Sequence, residues 1–200
     1  MSSRRAAGAK RRGRLVVISG PSGAGKTSIC RALLDQLPDA VWSVSATTRK
    51  PRAGEEAKKS YEFVSAEEFE RRIRSHEFLE WAEYVGERYG TPRKPVEGFV
   101  AAGKSVILEI DVQGGMQVAR QVPDSICIFV LPPDRASLRA RLEGRRTEAE
   151  EQLRRRLERA DGEIATARDS GCYPYFVVND VLEETIDRVK DIIRKENDKA

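Results

Sequence analysis

The 200-residue chain is poor in cysteine, and it contains no long apolar run. Its three cysteines, Cys30, Cys127 and Cys172, are widely spaced and odd in number, which favours neither a disulfide framework nor a zinc site. We therefore expect a cytoplasmic protein. No apolar run approaches the length of a membrane-spanning helix, and the first residues lack the apolar segment of a signal peptide, so we expect no membrane association.

Acidic residues are missing from the first 14 positions, which carry six basic residues. The formal net charge is +4, but without these six residues the chain keeps 30 basic and 32 acidic side chains, a charge of −2. This balance argues against a nucleic-acid-binding surface on the body of the chain. Residues 1–13 are predicted to be a disordered basic tail, either a solvated extension or a weak contact for nucleic acid or an anionic surface.

One glycine-rich stretch, GPSGAGKT at residues 20–27, fits the phosphate-binding pattern G-x-x-x-x-G-K-[ST]. An apolar β-branched run precedes it and a helix-compatible segment follows, so the loop joins a buried strand to a helix. This context argues against a simple glycine turn with a chance lysine. Lys26 is predicted to reach the β- and γ-phosphates of a nucleoside triphosphate, and the Thr27 hydroxyl to bind Mg²⁺. The predicted ATP-binding residues here are Gly20, Pro21, Ser22, Gly23, Ala24, Gly25, Lys26, Thr27 and Ser28.

The next part of the chain has short strands and turns. Strands are predicted over residues 41–46, 61–64 and 78–85, with a turn over residues 86–90. A capping box at residues 65–68 predicts an amphipathic helix between them. The block at about 47–92 is therefore predicted to be a small β-rich insertion into an α/β fold.

Residues 47–54 combine three cations with turn residues directly after a strand. Because ligands of α/β sheets bind beyond strand ends, this loop is a candidate anion site. A solvated basic turn explains the same composition equally well.

Acidic residues mark the end of the next apolar strand, at residues 104–111. An acid such as Asp111 at this place in a phosphate-loop protein holds the water shell of a metal or a substrate hydroxyl. Gly114 and Gly115 are predicted to precede a short helix, and residues 125–131 to form another buried strand. Residues 176–178 are predicted to be a last core strand, followed by a C-terminal helix.

Arginines are concentrated in residues 134–158. A second capping box, at residues 147–150, places Arg145 and Arg146 in a turn between two helices. Such arginines could close over phosphates as a lid. Alternatively, they pair with glutamates at helical spacing. We expect that pairing for Arg135, Arg139, Arg154 and Arg155.

Six motifs in order resemble those of guanylate kinases, the nucleoside monophosphate kinases that phosphorylate GMP. They are GPSGAGKT, SVSATTRKPRAGE, FLEWAEYVGERYGT, LEIDVQG, RLEGR and VVND. The first is shared with many NTPases, whereas the second and third together are much more specific. The resemblance covers the chain from about residue 15 onwards.

The resemblance implies an α/β fold, with a P-loop NTPase-type parallel sheet flanked by helices, an inserted GMP-binding lobe and a helical lid. The expected single domain, 14–200, has its core at 14–46, 93–133 and 159–200, the GMP-binding lobe at 47–92 and the lid at 134–158. The implied reaction is Mg²⁺-dependent phosphoryl transfer from ATP to GMP, giving ADP and GDP, in purine nucleotide metabolism and GMP recycling.

The resemblance also implies roles for single residues. Arg49, Arg52, Tyr61 and Tyr89 would hold the GMP phosphate. Ser45, Glu80 and Thr91 would contact guanine. Glu109 and Asp111 would lie near the acceptor site. Lys26, Arg49, Arg141, Arg145 and Arg156 would be catalytic, and Asn179 would lie near the adenine.

The chemistry of guanine supports the assignment of Glu80. Guanine presents N1–H and the N2 amine side by side, and one carboxylate accepts both. Adenine offers a lone pair at N1 and no N2 amine, so the same carboxylate would discriminate against AMP. From spacing alone, however, Glu80 reads as an outward-facing strand residue.

The chain departs from the usual family pattern in three places. Arg146 stands where a glycine commonly follows the lid arginine, residues 56–60 replace a stretch with glycine and aspartate, and Glu109 replaces a common aspartate. The first lies in the expected lid turn and the second in the turn before Tyr61.

Other function classes remain as alternatives. A guanylate-kinase-like interaction module without catalysis is disfavoured by the intact loop residues Gly25, Lys26 and Thr27. A kinase of another nucleoside monophosphate is disfavoured by Ser45 and Glu80, although deoxy-GMP stays open. A nucleic-acid-binding NTPase is disfavoured by the acidic balance of the body. The sequence does not decide between a monomer and a homo-oligomer.

Overall fold

The computed structural model describes residues 13–51, 61–143 and 150–199. Strands and helices alternate along most of this part of the chain. In chain order they are β1 (Leu15–Ser19), α1 (Lys26–Gln36), β2 (Ala40–Trp42), β3 (Ala46–Thr47), β4 (Glu62–Phe63), α2 (Ala66–Arg74), β5 (Phe78–Tyr84), β6 (Glu87–Pro92), α3 (Arg93–Ala101), β7 (Ser105–Glu109), α4 (Val112–Gln121), β8 (Ile126–Leu131), α5 (Arg135–Glu143), α6 (Glu150–Asp169), β9 (Tyr175–Val178) and α7 (Leu182–Asp198).

Five parallel strands form the main sheet in the order β2-β7-β1-β8-β9. All five residues of the central strand β1 are buried. Val16 and Ile18 pack in one core with α1 and α7, whereas Leu15 and Val17 pack in a second core on the opposite face. A strand buried on both faces reads as a continuous apolar run, and the predicted α/β fold with a parallel sheet is confirmed.

A second sheet of four strands, in the order β4-β3-β6-β5, is consistent with the predicted inserted lobe. Ser65 caps α2 by accepting a hydrogen bond from the backbone N–H of Glu68, as the capping box predicts. Helix α2 then places Phe69 against Phe78, with ring centroids 4.5 Å apart.

The strand predicted at residues 41–46 was wrong as a single element. Strand β2 pairs with β7 in the main sheet, and the backbone N–H of Ser43 still donates to the carbonyl of Ile107, at 3.1 Å. Strand β3 pairs instead with β4 and β6 in the small sheet. Apolar and polar residues alternate without interruption where the chain leaves the main sheet and enters the small one. The sequence pattern therefore does not show that the pairing partner changes.

The turn predicted at residues 86–90 is shorter than expected. The chain turns at Val85 and Gly86, which have φ angles of 56° and 77°, and Tyr84 pairs directly with Glu87. Two central residues with positive φ form a two-residue hairpin loop. Gly90 lies in β6, where a Cβ atom would approach a ring carbon of Phe78 to 2.9 Å. This glycine is therefore needed for ring packing and not for a turn.

Helix α4 contains the two glycines that were predicted to precede it. Asp111 is its N-cap, and its Oδ1 accepts a hydrogen bond from the backbone N–H of Gly114 at 2.8 Å. A Cβ atom at Gly115 would lie 1.9 Å from the Tyr173 hydroxyl. The glycines at the start of this helix are thus explained by the side chains that pack against them and not by a reversal of the chain.

Strand β9 lies at the edge of the main sheet, so the prediction of a core strand is only partly right. Val177 is buried, whereas Phe176 and Val178 are exposed. Helices α5 and α6 pack through a separate leucine-rich cluster. In the described part of the chain no helix is both long and apolar enough to cross a membrane.

Candidate functional site

The glycine-rich loop lies at the carboxyl end of central strand β1 and leads directly into α1. Gly20, Gly23 and Gly25 all have positive φ angles. A Cβ atom at Gly20 would lie 2.3 Å from the carbonyl oxygen of Val130, so this position requires glycine sterically as well. Because Gly25 is the N-cap and has no side chain to offer, the first N–H groups of α1 are available to an anion.

The amino group of Lys26 lies inside this loop. Its Nζ donates hydrogen bonds to the carbonyl oxygens of Gly20, at 2.6 Å, and Pro21, at 3.1 Å. Burial lowers the pKa of Lys26, while Glu109, Glu163 and Asp111 act in the opposite direction. The lysine thus combines a partly desolvated charge with flanking carboxylates.

Of these carboxylates, Glu163 was not predicted. It lies in α6, where its sequence context is that of an ordinary helix-surface glutamate. Burial raises its pKa to about 7, Lys26 opposes that shift, and Asp111 adds to it. The charge interaction of Glu163 with Lys26 depends on how α6 packs near the loop, so no local sequence signal could have revealed it.

Thr27 and Glu109 meet at the same end of the sheet. The Thr27 Oγ1 donates a hydrogen bond to Glu109 Oε1 at 2.7 Å. A hydroxyl and a carboxylate are the oxygen donors that Mg²⁺ prefers. Among the described residues, no group of three or more His, Cys, Asp and Glu side chains could hold a metal ion. Mg²⁺ does not require such a group, because it usually uses one or two protein ligands together with substrate phosphates.

Two of the predicted lid arginines reach the loop region. Arg156 Nη2 donates to Ser22 Oγ at 2.9 Å, and Arg141 Nη2 donates to the carbonyl oxygen of Asn179 at 2.9 Å. The third, Arg145, lies outside the described residues, as do Arg146 and most of the second capping box. Arg156 thus contacts the phosphate-binding loop directly, whereas Arg141, from another helix, contacts Asn179.

Four further arginines in the described part of residues 134–158 pair with acids. Arg139 contacts Glu143 and Glu150, both within 2.7 Å. The other ion pairs are Arg135 with Asp161, Arg154 with Glu158 and Arg155 with Glu151. Pairing with a glutamate at helical spacing is therefore confirmed for Arg139, Arg154 and Arg155, whereas Arg135 pairs with an aspartate of α6 that lies 26 positions later.

Asn179 lies directly against the loop. Its Nδ2 donates to the carbonyl oxygen of Ala24 at 2.7 Å, and a Cβ atom at Gly25 would lie 2.2 Å from that nitrogen. Its Oδ1 is buried without a hydrogen-bond partner among the described residues. The amide thus supports the loop backbone through one end and leaves the other end unsatisfied.

On the side of the small sheet, Glu80 is buried, with 5% of its surface exposed. Thr91, which is fully buried, donates from Oγ1 to Glu80 Oε1 at 2.5 Å. Burial raises the pKa of Glu80 to about 7, the Thr91 hydrogen bond opposes this, and Asp111 adds to it. Gly114 makes room for this carboxylate, because a Cβ atom there would lie 2.4 Å from Glu80 Oε2. Glu80 is therefore not the outward-facing residue that its spacing indicated.

Ser45 lies just before β3, which pairs with the strand that carries Thr91. It directly precedes the Ala46–Gly90 pair of β3 and β6, and Thr91 directly follows Gly90. Its backbone carbonyl accepts a hydrogen bond from the N–H of Glu62 at 2.9 Å, and its side chain is half-buried.

Three of the residues expected at the GMP phosphate form one cluster. The Arg49 guanidinium carbon lies 5.4 Å from the centre of the Tyr61 ring, and the rings of Tyr61 and Tyr89 are 5.9 Å apart. Phe63, which was not predicted, lies 5.8 Å from the same guanidinium. Arg52 lies outside the described residues, together with the divergent stretch 56–60.

Comparison with known proteins gives one consistent result. The family model of guanylate kinase matches residues 12–196. A guanylate kinase of Rubrobacter xylanophilus is 51% identical over 92% of this chain and 95% of its own length. That of Anaeromyxobacter dehalogenans is 48% identical over 98% of this chain and 86% of its own. The crystal structure of guanylate kinase from Anaplasma phagocytophilum, 36% identical, superposes with a TM-score of 0.75 over 94% of this chain and 88% of that one.

Proposed function

The chain belongs to the guanylate kinase family, and we propose that it transfers the γ-phosphoryl group of ATP to GMP, with Mg²⁺, giving ADP and GDP. The family implies ATP and GMP as the substrates. One observation supports the proposal most: Asp111 connects the end of β1, which leads into the loop, with the surroundings of Glu80. Its backbone carbonyl accepts a hydrogen bond from Ser19 Oγ at 3.2 Å, and its side chain caps Gly114, whose added Cβ atom would lie 2.4 Å from Glu80 Oε2. The two nucleotides would meet beside Asp111.

On the ATP side, the backbone of residues 20–28 would bind the phosphates. Lys26 would exchange its bonds to the carbonyls of Gly20 and Pro21 for bonds to phosphate oxygens. Arg156 already contacts the loop at Ser22, Arg141 would turn from the carbonyl of Asn179 to the phosphates, and Arg145 would join them from the lid turn. Asn179 would lie at the adenine end, where its Oδ1 would accept a hydrogen bond from the exocyclic amine.

The oxygen donors at Thr27 and Glu109 fit a Mg²⁺ ion. Thr27 would supply its hydroxyl as a ligand, and Glu109 would hold the water shell of the ion. The ion, when bound, would neutralise charge on the transferring phosphate.

On the GMP side, Glu80 would accept hydrogen bonds from guanine N1–H and N2–H, while Thr91 fixes its orientation. Ser45 would donate to guanine O6. The phosphate of GMP would bind to Arg49, Arg52, Tyr61 and Tyr89. Arginine suits this role because its planar guanidinium matches two phosphate oxygens at once.

The reaction needs positioning more than acid–base chemistry. The acceptor phosphate is itself an anionic oxygen nucleophile near neutral pH, so no strong general base is required. The difficulty lies in bringing two polyanions together in line while excluding water, which would otherwise hydrolyse ATP. Lys26 and the arginines of both lobes would supply the compensating charge.

The proposal extends to the arrangement of the chain and to its setting. We propose that residues 47–92 form the GMP-binding lobe and residues 134–158 the lid, on a core made of the remaining segments from residue 14 onwards. A cytoplasmic enzyme of purine nucleotide metabolism and GMP recycling is the setting that this reaction implies.

The test is ADP formation from Mg·ATP with GMP, deoxy-GMP, AMP, CMP, UMP or no acceptor. We expect ADP to rise with GMP, matched by GDP, and to stay near background with AMP and without acceptor. Equal ADP formation in the absence of acceptor would make the protein an NTPase and remove the guanine assignments. Nucleotide binding without turnover would favour the interaction-module alternative.

A further inference from the structure

Helix α6 contacts both the phosphate-binding loop and the small sheet through residues that lie three positions apart. Its Arg156 reaches Ser22 in the phosphate-binding loop, at 2.9 Å. Three residues later, Arg159 places its guanidinium carbon 5.1 Å from the centre of the Tyr84 ring in strand β5. Residues three apart lie on the same side of a helix, so one face of α6 spans the loop and the small sheet.

The same face continues to the centre of the site. Glu163, four residues after Arg159, lies near enough to Arg159, Lys26 and Asp111 to interact with all three charges. Arg159 therefore contacts the Tyr84 ring of the small sheet and also interacts with the charge of Glu163.

The strand that Arg159 contacts is the one that carries Glu80. From Glu80 to Tyr84, strand β5 pairs with β6 without a shift in register, so Glu80, Ala82 and Tyr84 are alternate residues of one strand. Alternate residues of a strand share a face, so Tyr84 and Glu80 project to the same side of β5. A contact at Tyr84 thus acts on the face that bears the guanine-site carboxylate.

We propose that Arg159 is a positioning residue, whose contact with Tyr84 holds the small sheet against α6 and thereby aligns Glu80 with the phosphate-binding loop. This inference rests on the proposed function, since it concerns how GMP is presented to ATP. The interaction is a cation–π contact: an arginine over a tyrosine face, at a distance within the usual 6 Å.

The expected effect is moderate and falls on one substrate. An exposed cation–π contact changes binding by roughly two- to fivefold. Arg159→Ala should therefore raise KM for GMP by about that factor, leaving KM for ATP unchanged and kcat within about twofold. Tyr84→Leu should give the same result. Tyr84→Phe should stay near wild type, because it keeps the ring that the guanidinium contacts.

The experiment measures both KM values and kcat for these three variants and for the double variant Arg159→Ala/Tyr84→Leu. The matched control is Arg155→Ala, since Arg155 is an exposed arginine of the same helix whose guanidinium pairs with Glu151. The double variant should be no worse than either single variant, because both remove one contact. Thermal unfolding of each variant separates loss of fold from loss of positioning.

The outcomes distinguish this inference from the proposed function. Wild-type turnover of GMP together with an unchanged GMP KM in Arg159→Ala, additive effects in the double variant, or an equal effect of Arg155→Ala would overturn the inference and leave the function intact. A wild-type protein that does not phosphorylate GMP would overturn both.

Discussion

The hydroxyl of Thr91 donates a hydrogen bond to the carboxylate of Glu80 in a site where both side chains are almost closed to solvent. The bond leaves the second carboxylate oxygen, Oε2, beside Gly114. Burial of this carboxylate raises its pKa to about 7, close to the pH at which the protein is expected to work. The protonation state of Glu80 therefore links pH to the recognition of the base.

Binding of GMP should weaken as the pH falls below 7. Glu80 must be ionised to accept the two guanine donors, and below its pKa of about 7 it carries a proton that GMP has to displace. Well below that pH, KM for GMP should rise by about tenfold per pH unit, while KM for ATP changes less. The GMP phosphate itself titrates near pH 6. The decisive comparison is therefore the pH profile of wild type against that of Glu80→Gln, in which the Glu80 component should be missing.

Glu80→Gln should lower kcat/KM for GMP, with a loss of roughly 2–4 kcal/mol of transition-state stabilisation. The reason is that an acceptor is replaced by a donor that faces the donors of guanine. Steady-state kinetics at pH 8 measures the loss. The control is Glu83→Gln, since Glu83 lies on the same strand with its side chain exposed. Unchanged GMP kinetics in Glu80→Gln would remove Glu80 from the guanine site.

Lys26→Ala should reduce kcat by at least about a hundredfold with little effect on folding, because a positioned charge at the transferring phosphate is lost. Burial lowers the pKa of the Lys26 amino group, which means that the fold disfavours its charged form, so we expect removal of the side chain to cost little stability. Single-turnover kinetics and thermal unfolding of the same variant measure the two effects. A near-normal kcat would contradict the assignment of the loop.

Gly114→Ala should damage GMP recognition specifically, although alanine is the better helix former. The added Cβ would lie 2.4 Å from Glu80 Oε2 and would displace the carboxylate, so KM for GMP should rise. Gly98→Ala is the matched control: Gly98 also lies within a helix, and no atom lies within 4 Å of its added Cβ. That variant should be more stable by about 0.5–1 kcal/mol with unchanged kinetics. Equal kinetics in both variants would count against the role of Gly114.

Binding of both substrates should make the protein more compact, because the lid and the GMP-binding lobe close to exclude water. Small-angle X-ray scattering with and without a bisubstrate analogue measures the change in radius of gyration. Each nucleotide alone should give a smaller change. An unchanged radius with the analogue bound would refute closure.

The sequence predicted the site where its residues are contiguous, and it failed where they meet only through packing. The loop at residues 20–27 contains its glycines and its lysine in one short stretch, and the structure places it between a strand and a helix as the sequence predicts. Glu80 looked like a solvent-facing strand residue, because its burial depends on a helix glycine 34 positions later, at Gly114. Glu163 and Phe63 gave no local signal, since a helix glutamate and a strand phenylalanine are ordinary in composition.

The errors in secondary structure have the same origin. Alternation at residues 41–46 was real, but it belongs to two strands that pair in different sheets. Glycine marked a turn at Gly86 correctly and misled at Gly90, where the missing side chain accommodates the rings of Phe69 and Phe78. Local patterns report which conformations a segment can adopt; they do not report which neighbour selects one of them.

The central position of β1 has a consequence for the order of folding. Its two partners, β7 and β8, follow it by about 90 to 110 positions in the chain, and the small sheet is assembled from residues that come before both. Pairings of such long range form slowly, and during synthesis the strand has no partner until the ribosome has passed the middle of the chain. The small sheet is thus expected to assemble first. The phosphate-binding loop lies near the N-terminus, but it would adopt its final conformation only after more than half of the chain has been synthesised.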